Sequence, residues 1–213
     1  MFTIIVPVYN KEEILEGSFN ILCGYLKKKF KNNWKVIIAE RGSTDNSAAV
    51  ARKIARDNKQ IKVVLGFESK TVLNNIEGNV IVIEPGLANN AELIGDILKG
   101  LKDETNGPDI FNGSRFAKGA KCNASFARRI LSRSYNIMTN LLFRTKISDF
   151  QCEFKGYKEN VFRHLCLDSD TNHRFWFTES LVRAARMDYT IQDFPVVYDK
   201  NWKAANPKRS MGT

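Results

Sequence analysis

The first half of the chain alternates short apolar runs with segments of helical periodicity, and this alternation constrains the fold more than any other feature. Four runs rich in branched aliphatic residues predict strands, namely residues 3–8, 34–39, 61–65 and 79–84. The segments between them carry apolar side chains at helical spacing. Strands that alternate with helices form right-handed crossovers, so we predict an α/β fold with a mostly parallel sheet flanked by helices.

Three helices are predicted in this half. In the first, apolar residues recur from Ile14 to Phe30 and a run of lysines closes the segment, which suits the negative end of a helix dipole. The second helix begins at a cap among residues 43–45 and continues to about Arg56. The third covers residues 91–101.

The second half of the chain is less regular. Residues 109–112 and 190–198 predict strands, residues 175–187 predict a helix, and residues 148–157 predict a polar loop or a short strand. The tail, residues 200–213, is basic. Neither an internal repeat nor a clean linker interrupts the sequence, so we predict a single domain, residues 1–213.

Residues 126–143 predict a long amphipathic helix. Its apolar residues have compatible helical spacing, and they are Ile130, Leu131, Ile137, Met138, Leu141 and Leu142. Arg128, Arg129 and Arg133 lie on or near the other face.

The charge balance indicates an anionic partner. Lysine and arginine number 33 and aspartate and glutamate 23, which gives a net charge of +10. Such an excess suits nucleic acid, an acidic membrane surface or a phosphorylated substrate, although solubility alone also accounts for it. Because no nucleic-acid recognition motif accompanies the charge, we expect no nucleic-acid partner.

Cysteine usage and hydropathy indicate in which cellular compartment the protein is expected. The four cysteines contain no C-x-x-C pair, which favours free thiols in a reducing cytoplasm over a disulfide frame or a zinc site. No segment reaches the roughly 18 apolar residues needed to span a bilayer. The first residues enter a strand at once, so we expect no signal peptide and a cytoplasmic protein.

A ligand site is expected where the strands end. Ligands of parallel α/β sheets bind beyond the carboxyl ends of the strands. In this sequence those ends carry residues 9–12, 40–43 and 84–87.

Eight short blocks follow one another in an order that resembles family-2 glycosyltransferases of the GT-A fold, particularly dolichyl-phosphate mannose and glucose synthases. The blocks are residues 4–13 (compare P-x-Y-N-E), 40–45 (D-D-G-S-x-D), 84–87 (D-A-D-L), 112–116 (G-S-R), 132–136 (S-R-x-x-N), 149–155 (D-x-Q-C-G-F-K), 176–179 and 193–196. The resemblance implies a GT-A, Rossmann-like fold. It also implies a nucleotide-sugar-binding half, residues 1–105, and an acceptor-binding half, residues 106–199.

The departures from these motifs fall mostly at the expected site. Glu40 and Arg41 replace an aspartate pair, and Gly86 removes the second carboxylate of the metal-binding D-x-D motif while Glu84 keeps the first. Lys11 replaces the glutamate of the opening motif, and Glu153 replaces a later glycine. The chain between residues 65 and 79 also lacks the Gly-rich stretch of the family.

The resemblance assigns the donor site to residues at the strand ends. We expect Tyr9 to stack beside the base with Pro7 fixing the loop, and Asn10 and Glu40 to hydrogen-bond the base or ribose. The departing diphosphate needs positive charge. Either Mg²⁺ or Mn²⁺ bound weakly by Glu84 supplies it, or Arg41 and Arg115 do so directly.

Catalytic and acceptor-binding residues are expected in the later blocks. Glu84, Arg115 and Asp149 are the predicted catalytic residues, with Asp149 orienting a cation or the acceptor and held in reserve as a general base. Arg128, Arg133 and Lys155 are predicted to bind the acceptor phosphate. Each of these residues also has a plain structural interpretation, as a strand-end carboxylate, a loop cap or a solvated helix face.

The expected activity is transfer of a hexose from a GDP-mannose- or UDP-glucose-type donor to a polyprenyl or dolichyl phosphate. The expected partners are a nucleotide sugar, a lipid phosphate and an anionic membrane surface. Arg128, Arg129 and Arg133 would contact that surface together with tail residues, namely Lys200, Trp202, Lys203, Lys208 and Arg209. The alternative is a catalytically impaired relative that binds nucleotide sugar, lipid phosphate or a partner without turnover, which the changes at Arg41 and Gly86 favour.

Overall fold

A computed structural model describes residues 1–66, 69–167, 175–199 and 201, with residues 69 and 70 described by their backbone alone. The strands in this part of the chain are β1 (Thr3–Val8), β2 (Lys35–Glu40), β3 (Ile61–Leu65), β4 (Val80–Ile83), β5 (Ile110–Ser114), β6 (Lys121–Asn123), β7 (Phe154–Tyr157), β8 (Ile191–Pro195) and β9 (Val197–Asp199). The helices are α1 (Glu12–Phe30), α2 (Ser47–Arg56), α3 (Ser69–Leu73), a 3₁₀ helix (Pro85–Leu93), α4 (Ile94–Lys102), α5 (Phe126–Phe143), α6 (Glu159–Leu167) and α7 (Trp176–Arg186).

A seven-stranded sheet with the order β3-β2-β1-β4-β7-β5-β8 forms the centre of the protein. Strands β1 to β4 pair in parallel, and β5 pairs in parallel with β8. Only β7, among the strands of this sheet in the described chain, runs antiparallel to its neighbours β4 and β5. The predicted α/β fold with a mostly parallel, helix-flanked sheet is confirmed.

Apolar residues cover both faces of the sheet. Along β1, Ile4 and Val6 pack into one buried cluster with α1, whereas Ile5 packs into a second cluster on the opposite face. The second cluster also contains Phe162 and Trp176 from α6 and α7. This is the continuous apolar pattern of strands buried on both sides.

The strand directions bring the candidate site residues to one edge. The carboxyl ends of β1, β2, β4 and β5 and the amino end of β7 lie at the same edge, because β7 alone is reversed in this set. A hydrogen bond from the Glu84 amide to the Glu153 carbonyl, 2.9 Å long, ties β4 to β7 there. Residues from both halves of the sequence therefore meet at this edge.

Several boundaries differ from those predicted. The predicted cap at residues 43–45 lies one to three residues before the observed N-cap, Asn46, and Asp45 accepts the Ser47 amide at 2.9 Å. The predicted helix 91–101 is a 3₁₀ helix followed by α4, and the predicted strand 190–198 divides into β8 and β9. Three further elements, α3, β6 and α6, were not predicted from the sequence.

Helix α5 has its predicted bounds but an unexpected orientation. Its buried residues are polar, namely Ser132, Asn136 and Thr139. The Asn136 side chain binds the loop before β7. Its Nδ2 donates to the Ser148 carbonyl at 3.0 Å, and its Oδ1 accepts from the Phe150 backbone amide at 3.2 Å. Helices usually turn their apolar stripe to the core. Here the polar stripe faces inward because it anchors this loop.

The apolar side of α5 faces outward as a consequence. We name its exposed apolar residues the outer face of α5: Phe126, Ile130, Leu131, Ile137, Met138, Leu141, Leu142 and Phe143. Leu131 is 72% exposed and Leu141 is 79% exposed. Among the described residues, no helix combines the length and apolar character needed to cross a membrane.

Candidate active site

The loops that follow β1 and β2 are hydrogen-bonded to each other and form one wall of the candidate site. Asn10 has a left-handed backbone, with φ of 50°, and its Oδ1 accepts the Thr44 amide at 2.8 Å. The Asn10 amide donates to Ser43 Oγ at 3.1 Å. Left-handed φ is most accessible to glycine and asparagine, so Asn10 suits this turn. Its side chain already has protein partners, and its predicted contact with a base or ribose stays a prediction.

Glu40 shapes the second of these loops. Its carboxylate accepts the amides of Gly42 at 3.1 Å and Ser43 at 2.6 Å, and the residue is only 4% exposed. Burial raises the pKa of this carboxyl, but hydrogen bonds from Ser43 and Gly42 outweigh it and leave the pKa below its usual value. Glu40 therefore holds the backbone of this loop in place. Its predicted contact with a base or ribose stays a prediction.

The other predicted donor residues lie along the same wall. Tyr9 is 40% exposed at the end of β1, where a base could stack, and Pro7 is buried within that strand. Arg41 is half-buried, and its amide donates to the Val8 carbonyl at 2.9 Å. The structure thus places these residues at neighbouring strand ends, and their binding of a nucleotide sugar stays a prediction.

We expect replacement of Glu40 by alanine to weaken binding of UDP or GDP by about 1–3 kcal/mol, because two amides of the loop lose their acceptor. Isothermal titration calorimetry on the folded variant measures this. Glu104→Ala is the matched control, since Glu104 is exposed near the end of α4. Unchanged nucleotide affinity in Glu40→Ala would remove this loop from the donor site.

Glu84 lies at the end of β4 with a lysine beside it. Lys11 Nζ lies 3.3 Å from Glu84 Oε2, and their side chains keep 33% and 19% of their surface exposed. Gly86 faces the same carboxylate, because a Cβ built on it would lie 3.6 Å from Glu84 Oε1. Position 86 is therefore where a second carboxylate would reach, and this chain has none there.

Glu153 is the neighbouring acid. Its pKa is raised to about 7, first by burial and then by the negative charge of Glu84, although Arg41 and Lys11 oppose this. A carboxyl with a pKa near 7 is partly protonated at neutral pH. Glu84 and Glu153 thus repel each other when both are charged, and Arg41 and Lys11 reduce that repulsion.

A divalent metal ion does not fit these residues well. Hard cations such as Mg²⁺ and Mn²⁺ prefer several oxygen ligands, often two or more of them carboxylates. Here one oxygen of Glu84 is bound to an ammonium group, and Gly86 has no side chain to add a second carboxylate. Within the described residues, no group of three or more histidine, cysteine or acidic side chains is arranged to hold a metal. The predicted metal site at Glu84 thus lacks its supporting ligands.

Arg115 and Asp149 form a buried, bidentate ion pair. Arg115 Nε lies 2.7 Å from Asp149 Oδ2, and its Nη2 lies 2.8 Å from Oδ1. The side chain of Arg115 is 9% exposed and that of Asp149 is fully buried. Burial lowers the pKa of Arg115, but the bonds to Asp149 raise it above its usual range, so the guanidinium stays charged. Asp149 therefore fixes the orientation of the Arg115 guanidinium, and its occupied oxygens do not suit a general base. Its catalytic role stays a prediction.

Three guanidinium groups gather around two aromatic rings. Arg115 lies over the rings of Phe116 and Tyr198, with its Cζ at 5.5 and 5.7 Å from their centroids. The Cζ of Arg128 lies 5.9 Å from the Tyr198 centroid, and that of Arg133 lies 5.5 Å from the Phe116 centroid. We call Arg115, Arg128 and Arg133 the arginine cluster. Ring faces attract cations and so hold these groups together despite their like charge.

The arginine cluster can hold an anion. Within the described chain, no carboxylate lies within salt-bridge distance of Arg128 or Arg133. Both residues project from α5 at the exposed surface. Two unneutralised guanidiniums beside a third suit a phosphate, because each offers paired donors to its oxygens.

Lys155 does not lie where the prediction placed it. It is fully buried in β7, and its ammonium group donates to Asn112 Oδ1 at 2.5 Å. Burial lowers the pKa of Lys155. A buried ammonium group has no surface to offer an acceptor, so in this structure Lys155 supports the strand ends from within the sheet.

Sequence reasoning missed the rings and the lysine that complete the site. Phe116 is inside a recognised block, but Tyr198 comes from β9, far along the chain. In the sequence, Lys11 is only a departure from a motif. Its signal is that it occurs together with the departures at Arg41, Gly86 and Glu153. Except for Asn201, the basic tail, residues 200–213, lies outside the described residues.

Comparisons with known proteins give this geometry a context. Residues 3–68 match the family model described as glycosyl transferase family 2. Glycosyltransferase AglD of Haloferax volcanii is 25% identical over 206 residues, covering 92% of this chain and 33% of the relative. Dolichyl-phosphate beta-glucosyltransferase ALG5C of Trichomonas vaginalis is 22% identical over 214 residues, covering 93% of this chain and 64% of the relative. The chain thus spans between a third and two thirds of these relatives.

Solved structures share the fold. Mannosyltransferase PcManGT from Pyrobaculum calidifontis, in complex with GDP-Man and Mn²⁺, superimposes with a TM-score of 0.58. The two chains are 17% identical, and the match covers 93% of this chain and 56% of that one. The resemblance predicted from the sequence is therefore confirmed: this chain is similar to the family-2 glycosyltransferases and has their GT-A fold.

Proposed function

We propose that this chain transfers a hexose from a nucleotide sugar, of the GDP-mannose or UDP-glucose type, to a polyprenyl or dolichyl phosphate. The observation that carries the proposal is the arginine cluster beside the outer face of α5. Two of its three arginines belong to α5 itself. A lipid phosphate has a dianionic head on an apolar tail, and this surface offers cations and apolar side chains side by side.

The donor occupies the wall formed by the loops after β1 and β2. The residues there are those predicted for the base, ribose and diphosphate, namely Pro7, Tyr9, Asn10, Glu40 and Arg41. The family match over residues 3–68 covers this wall and supports its assignment to the nucleotide sugar. The dolichyl-phosphate activity in the name of one relative supports the acceptor class.

The residues act by positioning and charge. A phosphate monoester has a second pKa of about 6, so the acceptor is already nucleophilic near neutral pH and needs no general base. Arg128 and Arg133 hold its oxygens, and Arg115, fixed by Asp149, adds a third cation whose geometry is set in advance. The acceptor oxygen bonds to the sugar C1 while the bond from C1 to the nucleoside diphosphate breaks.

Transfer itself is the direct test. Purified protein is incubated with radiolabelled GDP-mannose or UDP-glucose and a polyprenyl phosphate in detergent, and extraction into organic solvent measures the glycolipid. Product formation is the expected result. The absence of product from both donors, with and without divalent metal, would contradict the proposal.

The alternative, a binding protein without turnover, is favoured by the missing carboxylate at Gly86. It predicts nucleotide-sugar binding in calorimetry with no labelled lipid in the same preparation. The two measurements together separate the two functions.

We expect the double variant Arg128→Gln/Arg133→Gln to raise the KM for lipid phosphate by roughly tenfold or more, since hydrogen bonds to charged groups are worth about 1.5–3 kcal/mol. Nucleotide affinity should stay unchanged. Arg129→Gln is the matched control, because Arg129 is exposed on the same helix outside the arginine cluster. Equal effects of Arg129→Gln and of Arg128→Gln or Arg133→Gln alone would mean that only net charge matters.

The proposed setting is the face of an anionic membrane. The outer face of α5 supplies apolar contact, and the exposed arginines of the same helix supply electrostatic attraction. Both features lie on one helix, so the acceptor would be met where its phosphate emerges from the bilayer.

A further inference from the structure

The motif departures near the donor site converge in space. Lys11, Glu84 and Glu153 come from three separate segments, yet Lys11 Nζ lies 3.3 Å from Glu84 Oε2 and the Glu84 amide donates to the Glu153 carbonyl at 2.9 Å. Arg41 belongs to a fourth segment, and its amide donates to the Val8 carbonyl at the end of β1. Lys11 and Arg41 are basic where the motifs of the resemblance carry acids, and Gly86 lacks the second carboxylate of the metal-binding motif. Loss of one metal-binding carboxylate and gain of a lysine thus occur at the same place.

Lys11 is well placed to act as a cation in that site. Its amide donates to Ser47 Oγ at 2.7 Å, which fixes the backbone at the junction of β1 and α1. Its ammonium group lies 3.3 Å from Glu84 Oε2 and keeps part of its surface exposed. The side chain is therefore held on one side by a carboxylate and open to a ligand on the other.

We propose that the Lys11 ammonium group, assisted by Arg41, binds the diphosphate of the nucleotide sugar in place of a divalent metal ion. The inference rests on the proposed function and names the cation of the same donor site. Glu84 then serves to position Lys11 rather than to bind a metal. An ammonium group offers three hydrogen-bond donors to the phosphate oxygens. Its positive charge balances the negative charge of the diphosphate, and it needs no further carboxylates to hold it.

The lysine keeps its proton throughout the transfer. The bond between the sugar C1 and the diphosphate oxygen breaks, and the electron pair leaves with the nucleoside diphosphate. Hydrogen bonds from Lys11 and Arg41 stabilise this added negative charge. The acceptor phosphate oxygen supplies the new bond to C1, so no further reactant is needed.

Nucleotide binding without metal is the first test. Calorimetric titrations of the wild-type chain with UDP and with GDP are run in excess EDTA and again in Mn²⁺. The expected result is binding of one nucleotide with affinities that agree within about threefold between the two buffers. Binding that disappears in EDTA and returns with Mn²⁺ would overturn this inference and leave the proposed function standing. No binding in either buffer would overturn both.

A matched pair of variants tests the lysine. Lys11→Gln should weaken nucleotide binding in EDTA by roughly tenfold or more, since a charge-assisted hydrogen bond is lost. Lys28→Gln removes the same charge from the exposed side of α1 and should leave affinity unchanged. Circular dichroism verifies that both variants fold. Equal affinity of Lys11→Gln and wild type would overturn the inference.

A third variant restores the acidic residues of the motifs at positions 11 and 86. Lys11→Glu combined with Gly86→Asp places three carboxylates around the Glu84 position, and the space at Gly86 accepts a Cβ at ordinary contact distance. We expect this variant to bind nucleotide weakly in EDTA and to gain at least tenfold in affinity on addition of Mn²⁺. If Mn²⁺ strengthens nucleotide binding to the wild type as much as to this variant, Lys11 is not the resident cation.

Discussion

Vesicles that contain anionic lipid should bind the wild-type chain, and the double variant Leu131→Gln/Leu141→Gln should lose most of that binding. Both leucines lie on the outer face of α5 and are more than 70% exposed. Full burial of a leucine side chain is worth about 1.5–3 kcal/mol, so partial insertion of two predicts binding about tenfold to a hundredfold weaker. Vesicle sedimentation measures the bound fraction. The variant should fold normally because neither side chain contributes to the core.

Salt and lipid composition separate the two contributions to this binding. Each cation near an anionic leaflet is worth about 1 kcal/mol, and the attraction is screened over roughly 8 Å at physiological ionic strength. Binding should therefore fall as salt rises and be weaker on neutral vesicles. Leu65→Gln is the matched control, since Leu65 is 74% exposed on the edge strand β3. Equal binding to neutral and anionic vesicles, or none at low salt, would argue against a membrane surface as partner.

Replacement of Asp149 by alanine should lower the free energy of unfolding by about 3–5 kcal/mol, as expected when one partner of a buried ion pair is removed. The Arg115 guanidinium would keep its charge with little exposed surface. The amides of Arg115 and Gln151, which donate to Asp149 at 3.1 Å each, would also lose their acceptor. Urea unfolding followed by circular dichroism gives the difference.

A surface pair provides the comparison. Arg56 and Asp57 lie 4.0 Å apart with side chains 77% and 65% exposed, so Asp57→Ala should change stability by less than about 1 kcal/mol. A loss of stability in Asp149→Ala no larger than in Asp57→Ala would mean that water reaches the Arg115–Asp149 pair. That result would also argue against the proposal that Asp149 fixes the orientation of the Arg115 guanidinium before the acceptor binds.

Local pattern was enough to predict the strands of the donor half. Thr3–Val8 and Ile61–Leu65 have their predicted bounds, because aliphatic runs that end in turn residues leave few alternatives to a buried strand. The expected edge for a ligand site followed from the same alternation, since parallel strands end together. The order of the motifs along the sequence then predicted the GT-A fold.

Where local pattern was weak, prediction failed. The short helix α3 packs against α6 and the strand β6 pairs with β9, and both are too short for a periodic pattern of their own. The single predicted strand 190–198 divides at Val196, which is buried and bonds back to Ser114 and Lys121. Such breaks depend on partners distant in sequence.

The sequence by itself determined the α/β fold, the strand ends that carry the site and the residue types available there. Only the tertiary structure decided what those residues do. It buried Lys155, paired Arg115 with Asp149, set Lys11 against Glu84 and turned the apolar side of α5 outward. Periodicity shows that a helix has an apolar side, but it cannot tell which side meets the core. That choice depends on the hydrogen bonds that Asn136 makes with a loop from elsewhere in the fold.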